Sequence, residues 1–166
     1  MAIRPVLCYP DPRLRITAKP VTSFDATLKA NIQDMVDTMY EDQGCGLAAT
    51  QIGLDMRIFV MDLSRAGNEP RVFINPDIIH REGERVKEEG CLSFPGVHAK
   101  ICRPQSVRMR FFDEAGIEHE ETFTDLGAAC CDHEIQHLDG ILFIDFLSPI
   151  KRNFLVKKLK KLQRTV

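Results

Sequence analysis

The stretch Cys131-Asp132-His133-Glu134-Ile135-Gln136-His137-Leu138-Asp139-Gly140 constrains this chain most, because it contains His-Glu-x-x-His. On an α-helix His133 and His137 stand one turn apart and point the same way. Two neutral imidazoles on one face can grip one transition metal, each nitrogen at ~2.0–2.1 Å from it. Glu134 follows the first of them, so its carboxylate can lie beside the ion without binding it and take a proton from a water held there. The bland alternative is a surface helix with two solvated histidines. The flanking residues argue against it. Gly127-Ala128-Ala129-Cys130-Cys131 is small and apolar, and Leu126, Ala129, Cys130, His133 and His137 fall on one helical stripe. That stripe predicts an inward face, where an imidazole needs a partner. Asp125 or Thr124 suits the N-cap and Gly140 the C′ stop.

A chain of 166 residues is read as one domain over 1–166 with a real core. It has no run of eighteen apolar residues, and Met1-Ala2-Ile3-Arg4-Pro5 does not open a signal peptide. A reducing cytoplasm is the expected compartment. The six cysteines (Cys8, Cys45, Cys91, Cys102, Cys130, Cys131) are then expected to be mostly buried small apolar side chains rather than disulfides, with at least one a candidate third metal ligand. Charge is unevenly spread. Lys151, Arg152, Lys157, Lys158, Lys160, Lys161 and Arg164 crowd the last sixteen residues without an acid, leaving 15 basic residues against 24 acidic ones elsewhere. Such a tail either meets a polyanion or is a solvated cationic face.

Pro5, Pro10, Pro12 and Pro20 keep residues 1–25 irregular. Leu28, Ile32, Met35, Val36, Met39 and Tyr40 predict an amphipathic helix from about Phe24 to Asp42, capped by Ser23 or Asp25. Glycines and alanines from Gly44 to Gly53 imply close backbone approach to a ligand or to another element, or a structural turn. Runs at 57–62, 71–74 and 77–80 read as strands. The alternation of Val107, Met109 and Phe111 with Arg108 and Arg110, then a turn at 113–116 and a return at 117–123, predicts an antiparallel hairpin with one wet face on which His119 is exposed. Cys91, between Gly90 and Leu92-Ser93-Phe94-Pro95, is either a thiol aimed inward at a kink or a buried free cysteine. A basic helix over about 150–164 is expected to dock by Ile150, Phe154, Leu155, Leu159 and Leu162.

Three pieces stand in order: Gly44-Cys45-Gly46-Leu47-Ala48-Ala49-Thr50-Gln51, Glu89-Gly90-Cys91-Leu92-Ser93 and His133-Glu134-Ile135-Gln136-His137. Together they resemble the polypeptide deformylase family, and the likeness extends to the Pro10–Arg15 opening and to Gly140–Pro149. It implies an α+β fold, with antiparallel β-sheets around a central metal-binding helix and N-terminal and C-terminal helices. It implies that Cys91 joins His133 and His137 as a ligand of one divalent metal, Fe²⁺ before Ni²⁺, Co²⁺ or Zn²⁺. It implies removal of the formyl group from nascent N-formyl-methionyl polypeptides with release of formate. Glu134 then acts as the base, and the Gln51 amide and the Leu92 N–H act as oxyanion donors.

Leu126, Ala129 and Cys130, with Gly44, Cys45 and Gly46, are expected to make the pocket for the methionine side chain. Peptide backbone is expected to add along Gly44–Gly46 or along Glu89, Gly90 and Leu92. The resemblance also suggests docking of the basic helix on the ribosome near the peptide exit, and it carries no membrane association. The chain departs from the family's usual aliphatic residue at Cys45, Pro at Thr50, Gln at Asp132 and Asp at Gln136. Two rival readings remain: a zinc peptidase, and a catalytically inactive ribosome-binding module.

Overall fold

The computed structural model describes residues 2–64 and 66–164; Met1, Arg65 and the last two residues of the basic segment lie outside the described residues. Helix α1 (Ala26–Glu41) starts where the Asp25 carboxylate accepts the Leu28 N–H at 2.9 Å. Strands β1 (Gly46–Ala48), β2 (Ile58–Met61), β3 (Arg71–Glu82), β6 (Ser106–Phe112) and β7 (Glu118–Thr124) form one sheet in the order β1-β2-β3-β6-β7. Strands β4 (Arg85–Gly90) and β5 (His98–Arg103) pair separately. Every pairing is antiparallel. Helices α2 (Leu126–Leu138) and α3 (Pro149–Arg164) complete the α+β fold.

The period-two pattern of β2 splits the core between the two faces of the large sheet. Phe59 and Met61 face one way, with Phe73, Met109, Phe111 and Phe123, against Ala128, Cys131, Ile135 and Leu138 of α2. Ile58 and Val60 face the other way, against Leu28, Ile32, Met35 and Met39 of α1. Phe73 anchors the first layer, stacked on Phe59 at 4.7 Å and edge-on to Phe111 at 4.8 Å. Each such fully buried side chain contributes ~1.5–3 kcal/mol over leaving it in water. A third cluster joins Leu14, Phe94, Ile101 and Phe143 to Leu155 and Leu159 of α3. Helix α2 thus lies at the centre, with the large sheet on one side and the elements carrying the third cluster on the other.

The run at 77–80 continues the strand begun at 71–74: Asn75 takes φ 48° at a bulge before Pro76, which has no N–H to give, and its side chain bonds the Val21 backbone at 2.8 and 2.9 Å. Other expectations need correction. The β4–β5 pair was not legible: β4 is exposed and rich in Lys and Glu, and the inward alternation of β5 runs through Ala99, Ile101 and a charged residue, Arg103. Asp125 precedes α2, but its side chain caps no N–H; it accepts from Gln105 instead. Only Cys130 and Cys131 are buried; Cys45 and Cys102 are exposed, Cys8 and Cys91 intermediate, and all are free. In α3 only Leu155 and Leu159 are buried, while Ile150 is 82% and Phe154 73% exposed. Among the described residues no helix is long and apolar enough to cross a membrane.

Candidate metal centre

Three separate elements deliver side chains to one point. Residues 91–97, the loop from β4 to β5, carry Cys91. Helix α2 carries His133, Glu134 and His137. The 3-10 turn Ala49–Ile52 carries Gln51. Cys91 Sγ lies 3.2 Å from His137 Nε2, which lies 3.2 Å from His133 Nε2. The three donor atoms all fall within 4.8 Å of one another. A tetrahedral ion with the usual metal–sulfur and metal–nitrogen lengths has donor–donor edges of ~3.3–3.6 Å, so this trio fits such an ion. Its softness suits Zn²⁺ and Fe²⁺ alike.

The surroundings fit as well. His133 Nδ1 donates to Glu89 at 2.8 Å, which leaves Nε2 as the lone-pair nitrogen facing the other two donors. Burial raises the Glu89 carboxyl, but hydrogen bonds from His133 and Arg103 overcome it and hold it down to about 2. Burial, then the charges of His133 and Arg103, push His137 well below the ordinary imidazole range, so it is neutral. Burial first, then the Glu134 charge, pushes the Cys91 thiol up, so ionising it needs a cation at this point. Among the described residues Glu134 Oε2 and His137 Nδ1 have no hydrogen-bond partner.

Glu134 is 4% exposed, with Oε1 at 3.7 Å from His133 Nε2. Burial, then the Cys45 charge, raises its carboxyl well above the usual range; a dication beside it works in the opposite direction. Gln51 is oriented at both ends of its amide. Its Oε1 accepts the Ala48 N–H at 2.9 Å, and its Nε2 donates to Ser93 Oγ at 3.1 Å and to Cys91 Sγ at 3.6 Å.

A cleft of about 400 Å³ opens above these groups. It is lined by Gly44, Cys45, Gly46, Gln51, Glu89, Gly90, Cys91, Leu92, Leu126, Ala129, Cys130, His133 and Glu134, so His137, buried beneath, is the one candidate residue outside its lining. Leu126 does not share the inward face expected of it: it is 52% exposed, at the rim. Gly46 is needed for close approach, since a Cβ there would sit 2.8 Å from Cys130 Sγ and 3.3 Å from Glu134.

The residue that sequence reasoning missed is Arg103, 3% exposed at the end of β5. It donates to Glu89 at 3.1 and 2.5 Å, to Asp132 at 3.1 Å and to the Gln136 side-chain oxygen. Asp132, which also pairs with Arg81 at 3.2 Å, therefore adds no uncompensated charge to the site. A sequence signal existed only in the unusual acid at Asp132, which called for a cation that the sequence did not point to.

The polypeptide deformylase family model matches residues 3–153. A peptide deformylase of Alkalilimnicola ehrlichii is 48% identical over 165 residues, 99% of this chain and 93% of that protein. Peptide deformylase 1 of Shewanella oneidensis is 47% identical over 161 residues, covering 97% of this chain and 96% of its own. The crystal structure of a Legionella pneumophila peptide deformylase superposes with a TM-score of 0.95 at 46% identity, over 99% of this chain and 97% of that one. An Ehrlichia chaffeensis peptide deformylase in complex with actinonin gives 0.94 at 35% identity, over 99% of each chain. The chain belongs to the polypeptide deformylase family, and its activity is that of a metal-dependent peptide deformylase rather than of a peptidase or an inactive module.

Proposed function

We propose that this member of the family deformylates nascent N-formyl-methionyl polypeptides at a centre held by Cys91, His133 and His137, as one catalytic domain working in the cytoplasm. The observation that carries the assignment is the meeting of Cys91 Sγ, His133 Nε2 and His137 Nε2 over the buried carboxyl of Glu134. A divalent ion bound there, Fe²⁺ by family resemblance and Ni²⁺, Co²⁺ or Zn²⁺ as substitutes, supplies a Lewis acid and a water of lowered pKa.

The protein's own groups do the rest. Glu134 takes the proton of the attacking water and returns it to the leaving amine. The Gln51 Nε2–H and the Leu92 N–H stabilise charge on the formyl oxygen, each contributing ~2.7–4 kcal/mol. Ala129, Cys130 and Gly46 wall the methionine side chain, with Leu126 at the rim, and Gly44–Gly46 and Glu89–Leu92 offer backbone to the peptide.

The basic face of α3 is read as a contact with ribosomal RNA. Lys157, Lys158, Lys160 and Lys161 are exposed and available for it, whereas Arg152 is occupied with the carbonyls of Ile144, Asp145 and Leu147. Truncation at 156 is a poor test because it removes buried Leu159. Replacing the four lysines with glutamine should abolish salt-sensitive ribosome binding; unchanged binding would refute this contact.

The activity is tested by formate release from formyl-Met-Ala-Ser with protein purified without oxygen, with metal analysis of the same sample. Formate release abolished by chelator supports the assignment. No release from fully metallated protein sinks it.

A further inference from the structure

Two cysteines that the deformylation chemistry does not use face each other across the cleft. Cys45 enters β1 with an exposed side chain, and Cys130 lies buried on α2, less than one turn before His133. Both line the cleft. The two thiols are near enough to shift each other's ionisation, Cys45 down and Cys130 up. The backbone beside Cys45 packs against the second sulfur, since a Cβ on Gly46 would stand 2.8 Å from Cys130 Sγ. Cys45 has glycine on both sides, so its backbone has the latitude to let the two neighbouring sulfurs close to the ~2.05 Å of a disulfide.

We infer that Cys45 and Cys130 form a peroxide-reactive dithiol whose disulfide closes the methionine pocket and switches the enzyme off reversibly. Cys45 is the attacking sulfur: it is the exposed one, and the neighbouring Cys130 thiol lowers it to about 7 against burial and the Glu89 charge. Its thiolate attacks one peroxide oxygen, the O–O bond breaks, and the departing hydroxide takes a proton to leave as water. The Cys130 sulfur then attacks the Cys45 sulfenic sulfur, the S–O bond breaks, and the second water leaves with the Cys130 proton. Two thiols are oxidised by two electrons and one peroxide is reduced to two waters. A small-molecule thiol reverses the bridge by exchange. The bridge stands on the thiol geometry alone; its effect on turnover rests on the deformylase reading of the cleft.

The test uses the Ni²⁺-loaded enzyme, so that the ion is not the species oxidised. It is treated with equimolar hydrogen peroxide and mapped by mass spectrometry without reduction. The expected result is a crosslinked peptide joining Cys45 to Cys130, an intact mass lower by two hydrogens, unchanged metal content, and formate release reduced by about tenfold or more, restored by dithiothreitol. In Cys130→Ala the oxidised Cys45 should persist as a sulfenic acid captured by dimedone. Oxygen added at Cys45 or Cys91 with no crosslinked peptide overturns the dithiol. A complete crosslink with undiminished formate release overturns the closure and leaves the deformylase assignment standing.

Discussion

Glu89 Oε1 lies 2.8 Å from His133 Nδ1, and Arg103 Nη2 donates to the same oxygen at 2.5 Å. This contact decides which imidazole nitrogen of His133 turns its lone pair to Cys91 and His137. Glu89→Gln keeps an acceptor but loses the charge that polarises the ring. Metal affinity should fall ~10–100-fold, read by competition with a chelator, while the circular dichroism spectrum stays that of the parent. Unchanged affinity would show that the carboxylate only lines the cleft.

Glu134 touches the site without being one of its three donors, so Glu134→Ala separates chemistry from metal binding. Bound metal should stay stoichiometric and kcat for formyl-Met-Ala-Ser should fall ~10²–10⁴-fold, the usual contribution of a positioned acid–base group. A variant that retains parental turnover is incompatible with Glu134 as the base.

Arg103 is buried with two acids and the Gln136 side chain around it, so its loss strands charge in the interior. Arg103→Leu leaves Glu89 and Asp132 without their shared cation and should cost ~3–5 kcal/mol in urea unfolding. Replacing Asp132 by Asn in the same chain should recover part of that loss, because it removes one of the stranded charges. Additive losses in the double variant would mean the two residues do not share an interaction.

The ease of reading this chain from its sequence follows from where the physics is local. His133, Glu134 and His137 sit one helical turn apart, so their meeting needs only a helix. The β6–β7 hairpin needs only alternation and the Asp113–Gly116 turn. Cys91 and Gln51 reach the same point from loops 42 and 82 residues before His133, and their place followed only from family likeness. Arg103 eluded both routes, because a buried cation held by Glu89, Asp132 and Gln136 is specified by tertiary packing. Ile150 and Phe154 misled for a related reason: their spacing marks an apolar stripe, but α3 is docked through Leu155 and Leu159 and leaves the stripe's other edge in water.

Away from the cleft, the Tyr40 hydroxyl donates to Asp62 at 2.6 Å, tying α1 to the loop after β2, and this bond should contribute to both limbs of the stability–pH curve. Ser64 donates to the same carboxylate through its hydroxyl at 2.6 Å and its N–H at 2.8 Å. These bonds, Ser64 first and then Tyr40, lower Asp62 to about 2. A carboxylate below its unfolded value of ~3.9 stabilises the fold above that value, and the contribution fades as pH falls toward 2. Burial, then the bond to Asp62, pushes Tyr40 up to about 12. A phenol above its unfolded value of ~10 stabilises fully below that pH, and the contribution is lost as pH rises through 12. Urea midpoints should therefore separate the parent from Asp62→Asn at neutral pH and converge as pH falls from ~4 toward 2. For Tyr40→Phe they should converge as pH rises from ~10 through 12. A gap that persists unchanged at either extreme would place the stabilisation in packing rather than in this hydrogen bond.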